Sequence, residues 1–103
     1  MGEEVASVRV TGGDGAQREA FRERVRWLLV RDMGAPDYDE RHDAEALEYR
    51  FAVGSGIPFP AFVEASRAFA ALRVEAQWPQ HGQSGAGRVV FGSGLIVEKV
   101  DLP

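Results

Sequence analysis

The sequence predicts an α+β fold, a two-layer sandwich with both helices on one face of a single sheet. Three observations predict it. Several short segments alternate apolar and polar residues with the two-residue period of half-buried strands, two longer segments carry apolar residues at helical spacing, and the order is β-α-β-α-β-β-β. A length of 103 residues supports one core, so residues 1–103 form a single domain.

The first strand covers residues 5–11, where Ala6, Val8 and Val10 alternate with Ser7, Arg9 and Thr11 until Gly12-Gly13-Asp14-Gly15 breaks the pattern. Asp14 is placed to cap a helix, and Phe21, Val25, Leu28 and Leu29 form one apolar stripe, which predicts a helix over residues 15–31. Gly34 and Pro36 close it, and residues 37–46 read as an acidic loop or frayed turn without apolar periodicity. Over residues 47–53, Leu47, Tyr49, Phe51 and Val53 face one side and Glu48, Arg50 and Ala52 the other, a second strand. Gly54-Ser55-Gly56 turns the chain, and Pro60 suits the first turn of a helix whose buried side is Phe59, Phe62, Ser66 and Phe69. Residues 72–78 form a strand with Leu72, Val74, Ala76 and Trp78 inward and Arg73, Glu75 and Gln77 outward. A Gly/Gln/Ser connection over residues 82–87 leads to Arg88-Val89-Val90-Phe91, which Gly92-Ser93-Gly94 joins to residues 95–100 as a tight hairpin. Helices between strands call for right-handed crossovers, and a split β-α-β arrangement of ferredoxin-like type satisfies them.

Composition narrows the function classes. With 45% apolar and 27% charged residues the chain is that of an ordinary globular protein. It contains no Cys, which removes disulfides, thiolate catalysis and thiolate metal sites. The start of the chain carries Glu3 and Glu4 in place of a basic region and an apolar run, so a cytoplasmic location without membrane insertion is expected. The net charge of −4 disfavours non-specific attraction to nucleic acid or anionic lipid. The charge is uneven, because residues 14–31 hold five Arg against three acids while residues 32–48 hold seven acids against Arg41.

The strand ending Tyr49-Arg50-Phe51, the turn into Ile57-Pro58-Phe59-Pro60, the Phe-rich helix, Leu72-Arg73-Val74-Glu75 and Gly85-Ala86-Gly87-Arg88 together resemble the YubB-type ferredoxin-like domain of plasmid and phage proteins. The resemblance covers roughly the C-terminal half, and Asp39-Glu40-Arg41-His42-Asp43 stands where that family has a Trp-Gly-Thr-Lys-Trp-like segment. It implies a fold and a mobile-element context and brings no catalytic residues with it.

The candidate sites each have a plainer explanation. Arg18, Arg22 and Arg26 form a stripe on the first helix, with Arg24, Arg31 and Trp27 nearby, suited to an acidic protein partner. Glu19 and Glu23, three residues before Arg22 and Arg26, offer ion pairing within the helix instead. Asp37, Asp39, Glu40, His42 and Asp43 supply possible cation ligands, yet the spacing matches no known cage and a solvated acidic loop explains them. Gly12-Gly13-Asp14-Gly15 sits where a phosphate loop would, but Asp14 would repel an anion, so a capped turn is expected. The open face of the sheet displays Ser7, Arg9, Glu48, Arg50, Arg73, Glu75 and Gln77, with no aromatic residues for stacking RNA bases. Neither His42 nor His81 has a neighbouring nucleophile that the sequence places, and the Ser residues look like turn or helix residues. Ala61, Ala65, Ala68 and Ala71 leave the second helix with a bland outer face.

No metal or cofactor is expected. The leading expectation is a non-enzymatic protein-binding domain, accessory or inhibitor-like, acting through Arg18, Arg22, Arg26 and Trp27 and the acidic Asp37, Asp39 and Asp43. A homodimer through the C-terminal hairpin, where Val97 and Val100 flank Glu98 and Lys99, is a further partner expectation. Two alternatives are a small-molecule-binding domain or enzyme with a pocket near Phe59 and Trp78, and nucleic-acid binding through the first helix.

Overall fold

The alternating residues at the start of the chain become an interior strand of a sheet. In the computed structural model, which describes residues 5–33, 38–52, 57–79, 86–93 and 95–101, β1 (Val5–Gly12) buries Ala6, Val8 and Val10 on one face. The elements that follow are α1 (Gly15–Met33), β2 (Asp39–His42), β3 (Leu47–Ala52), α2 (Phe59–Ser66), β4 (Leu72–Trp78), β5 (Gly87–Gly92) and β6 (Leu95–Asp101). All neighbouring strands pair antiparallel, in the order β2-β3-β1-β4-β5-β6.

Helix α1 starts where Gln17 N–H donates to Asp14 Oδ1 at 2.8 Å and Asp14 N–H donates to Gln17 Oε1 at 3.0 Å. This reciprocal cap satisfies two backbone donors and contributes about 1 kcal/mol. Gly12, at φ +84°, turns the chain so closely under β4 that a Cβ would lie 2.5 Å from the Ala71 carbonyl oxygen. The expected stripe of Phe21, Val25, Leu28 and Leu29 is almost fully buried.

That stripe shares one core cluster with Ala61, Phe62 and Ala65 of α2 and with Val8, Val10, Leu47, Tyr49 and Val74 of the sheet, so both helices cover the same face. Phe62 is the hinge of the aromatic packing, with ring centroids 4.9 Å from Tyr49 and 5.9 Å from Phe51, both edge to face. The connections follow from the pairings. β3 and β4 both run antiparallel to β1, hence parallel to each other, and α2 joins them; β1 and β2 both run antiparallel to β3, and α1 joins them.

Three expectations are corrected. The sheet has six strands where five were expected, because the acidic segment read as a loop contains β2, paired to β3 with Glu40 opposite Tyr49 and His42 opposite Leu47. The second helix ends at Ser66, where Arg67, Ala68 and Phe69 donate to carbonyls three residues back and tighten the chain. Phe69 still reaches the core, 5.9 Å from Phe21. Ala61 and Ala65 are buried and do not form an outer face, since they share the buried side of the short helix with Phe62 and Ser66. The turns at 54–56 and 82–85 and the side chain of Val100 lie outside the described residues.

Candidate functional site

Alternation along β2 divides the acidic segment. Asp39 and Arg41 lie opposite Arg50 and Glu48 on the open face of the sheet, whereas Glu40 and His42 face the helices. The carboxylates expected to share a loop are therefore separated by the sheet, and among the described residues no group of three His, Cys, Asp or Glu is placed to hold a metal. Asp37 lies outside the described residues. Asp43 closes the β2–β3 turn: its Oδ1 accepts from the N–H groups of Glu45 at 2.8 Å and Ala46 at 2.9 Å. Those two donors hold the Asp43 carboxyl below its usual range.

The arginine stripe is divided as well. Arg18 is only 6% exposed, and its Nη1 and Nη2 donate to the carbonyls of Gly12 and Ala44, each at 2.8 Å. It ties the β1–α1 turn to the β2–β3 turn and presents no charge to a partner. Arg22 is bound on both sides, to Glu19 within α1 and to Glu40 of β2. One charge of the positive helix and one of the negative segment, separate features in the sequence, thus neutralise each other inside the fold. Arg26 remains exposed and forms no ion pair among the described residues.

Around this junction His42 Nδ1 lies 3.0 Å from Glu19 Oε2. The Arg22 guanidinium, opposed by desolvation and assisted by His42, holds the Glu19 carboxyl down to about 2. Burial pushes the Tyr49 hydroxyl well above its ordinary value, with Glu40 adding to the shift. Arg18 Nε, His42 Nε2 and the Tyr49 hydroxyl are buried without a hydrogen-bond partner. A Glu–His pair of this kind can orient an imidazole for proton transfer. Here the outward-pointing nitrogen is itself buried, and the described Ser66 donates its hydroxyl to the Val63 carbonyl at 2.7 Å. The junction behaves as a structural seam between α1 and β2.

Among the described residues, two clusters of large apolar side chains are exposed. On α1, Trp27 and Val30 are 51% and 54% exposed, and the Arg24 and Arg31 guanidinium carbons lie 4.9 Å and 4.8 Å from the Trp27 ring centroid. On β6, the last strand of the sheet, Leu95, Ile96 and Val97 are 72%, 64% and 73% exposed. A register shift at Val90/Phe91 leaves Val97 as the extra residue of a bulge, beside a depression of about 350 Å³ that it lines with Ala70, Arg73, Val90 and Ser93. The apolar run was visible in the sequence as a strand; that its side chains stay exposed at the edge of the sheet was not.

The open face of the sheet is a charged ladder. Arg9 pairs with Glu48 at 2.8 Å, and Arg88 bridges Glu75 at 3.0 Å and Glu98 at 2.7 Å. Tyr49 and Phe51, the aromatic residues of β3, are in the core. Phe59 and Trp78 meet edge to face at 5.7 Å. The depression beside Trp78, about 250 Å³, opens past Ser7 and Gln77 and does not include Phe59.

No helix among the described residues is long and apolar enough to cross a membrane. No family model, no curated protein and no solved structure matches the chain.

Proposed function

We propose that this protein is a small non-enzymatic protein-binding domain, accessory or inhibitor-like, that engages its partner through the edge strand β6. One observation carries the reading: three consecutive large apolar residues, Leu95, Ile96 and Val97, are at least 64% exposed on the outermost strand of the sheet. Edge strands are usually blunted by charge or covered, and a bare apolar one is a template for an added strand. The opposite edge behaves in the usual way, since β2 is short and exposes Asp39, Glu40 and Arg41. The contrast between that edge and Leu95, Ile96 and Val97 supports a binding role for the first half of β6, ahead of the exposed Glu98 and Lys99, with either a foreign segment or a second copy as the added strand.

We further read the first four strands and two helices as a ferredoxin-like core with β5 and β6 appended beyond β4. Support comes from the two interlocking crossovers, each helix joining parallel strands on either side of a third. A YubB-type relationship, a mobile-element context and a cytoplasmic location stay with this proposal. Nucleic-acid binding through α1 is disfavoured, because Arg18 and Arg22 are committed within the fold.

A photo-crosslinking residue at position 97 tests the edge. A discrete, stoichiometric product with another protein or with a second copy, absent when the residue is moved to the exposed Arg41 on the far edge, is the expected result. Equal, diffuse labelling from both positions overturns it.

A further inference from the structure

We propose that the outer face of α1, centred on Trp27, docks an acidic polypeptide segment that carries an apolar side chain. This rests on the protein-binding reading and adds a second surface with a stated partner chemistry. Val25, Leu28 and Leu29 already satisfy the core, so the 51% exposure of Trp27 and the 54% exposure of Val30, one turn further on, serve no packing inside the fold. Trp and Arg are the side chains most enriched where binding energy concentrates.

The arginines around the indole are held in place before any partner arrives. Arg24 and Arg31 stand three before and four after Trp27, on the same helical face, and both guanidiniums rest against its ring. Glu64 of α2 lies 3.9 Å from Arg24 and 3.6 Å from Arg31, with all three side chains more than 40% exposed. Long, solvated pairs of this kind are weak. An incoming carboxylate can take over the Arg24 guanidinium with the shorter, paired geometry that Arg favours, at little loss.

Charge selects the partner. Among the described residues, the exposed part of the helix layer carries Arg24, Arg26, Arg31 and Arg67 against Glu19, Glu23 and Glu64, a positive surplus on a chain whose net charge is −4. A segment with spaced carboxylates and one apolar residue complements both the guanidiniums and the indole. A phosphate backbone fits less well, because its charges follow one another without a break and Glu23 and Glu64 interrupt the positive face, whereas spaced carboxylates can straddle them.

Panning a random-peptide display library on the whole protein, with counter-selection on Trp27→Ala, tests the surface. Recovered peptides should share surplus Asp and Glu around an aromatic or aliphatic residue. One synthesised from that set should bind more weakly as salt rises, and lose about tenfold or more on Trp27→Ala. The double variant Arg24→Ser/Arg31→Ser, which keeps the indole, should lose a comparable factor with an unchanged thermal melt. Failure to enrich peptides, enrichment of neutral or basic ones, indifference to these variants, or displacement by a single-stranded oligonucleotide at lower concentration than any acidic peptide overturns the proposal. If the crosslink at position 97 persists while peptide docking fails, only this surface is lost; if both fail, the protein-binding reading falls with it.

Discussion

Replacing Arg18 with Ala should destabilise the domain much more than replacing any other arginine of the first helix. The guanidinium donates to the carbonyls of Gly12 and Ala44, and both carbonyls lose their charged donor together. Hydrogen bonds from a charged group contribute about 1.5–3 kcal/mol each, and the buried unpartnered Nε offsets part of the sum, since an unsatisfied buried polar atom costs about 1–3 kcal/mol. A net loss of about 2–4 kcal/mol follows, a large share of the ~5–15 kcal/mol that holds a domain together. At this chain length it corresponds to a fall in Tm of about 10–25 °C and in the urea midpoint of about 1–2 M. Urea melts followed by far-ultraviolet circular dichroism read the change directly. Arg26→Ala, at an exposed position, serves as the comparison and should stay within about 0.5 kcal/mol of the parent. Arg18→Lys should fall between the two, because one ammonium cannot span both carbonyls. If Arg18→Ala melts with Arg26→Ala, the guanidinium clamp contributes nothing and Arg18 returns to the surface stripe.

Gly87→Ala places a Cβ inside the van der Waals envelope of the Trp78 indole, which is wedged against Phe59 and cannot swing away freely. Overpacking of this sort costs about 1–3 kcal/mol, measurable by thermal melt, and a change in tryptophan fluorescence should accompany it. Acid should weaken the α1–β2 seam through Glu19. Its folded pKa of about 2 lies below the ordinary 4.5, so the stabilisation is complete above about pH 4.5 and is lost as pH falls toward about 2. Glu19→Gln should flatten that part of the stability–pH profile, and an unchanged acid limb in the variant would remove Glu19 from the account.

Much of the fold was legible because burial imposes a period. Strands β1, β3 and β4 each keep one face in the core, so Val8, Tyr49 and Val74 announce themselves by alternation, and Phe21, Val25, Leu28 and Leu29 do the same at helical spacing. β2 was illegible for the same reason. It is an edge strand whose residues bury little, and Asp39, Glu40 and Arg41 are exposed, so its pairing to β3 leaves no apolar pattern. The early end of α2 depends on how the chain must drop into β4, which no local propensity encodes.

Residue type and spacing alone determined the α+β class, the core stripe, the capped turn at Asp14 and the lack of any Cys chemistry. Only the tertiary structure decided which charges remain available. Arg18 lies about 80° from Arg26 around the helix, on its apolar side, but that the carbonyls of Gly12 and Ala44 are there to receive its guanidinium was fixed only by the two turns that meet at it. The same holds for β6 beside β5: an apolar residue is core or interface according to what the rest of the chain lays over it. Periodicity is a local property of the chain, whereas the pairing of Arg22 with Glu40 and the bareness of Ile96 depend on distant segments meeting or failing to meet.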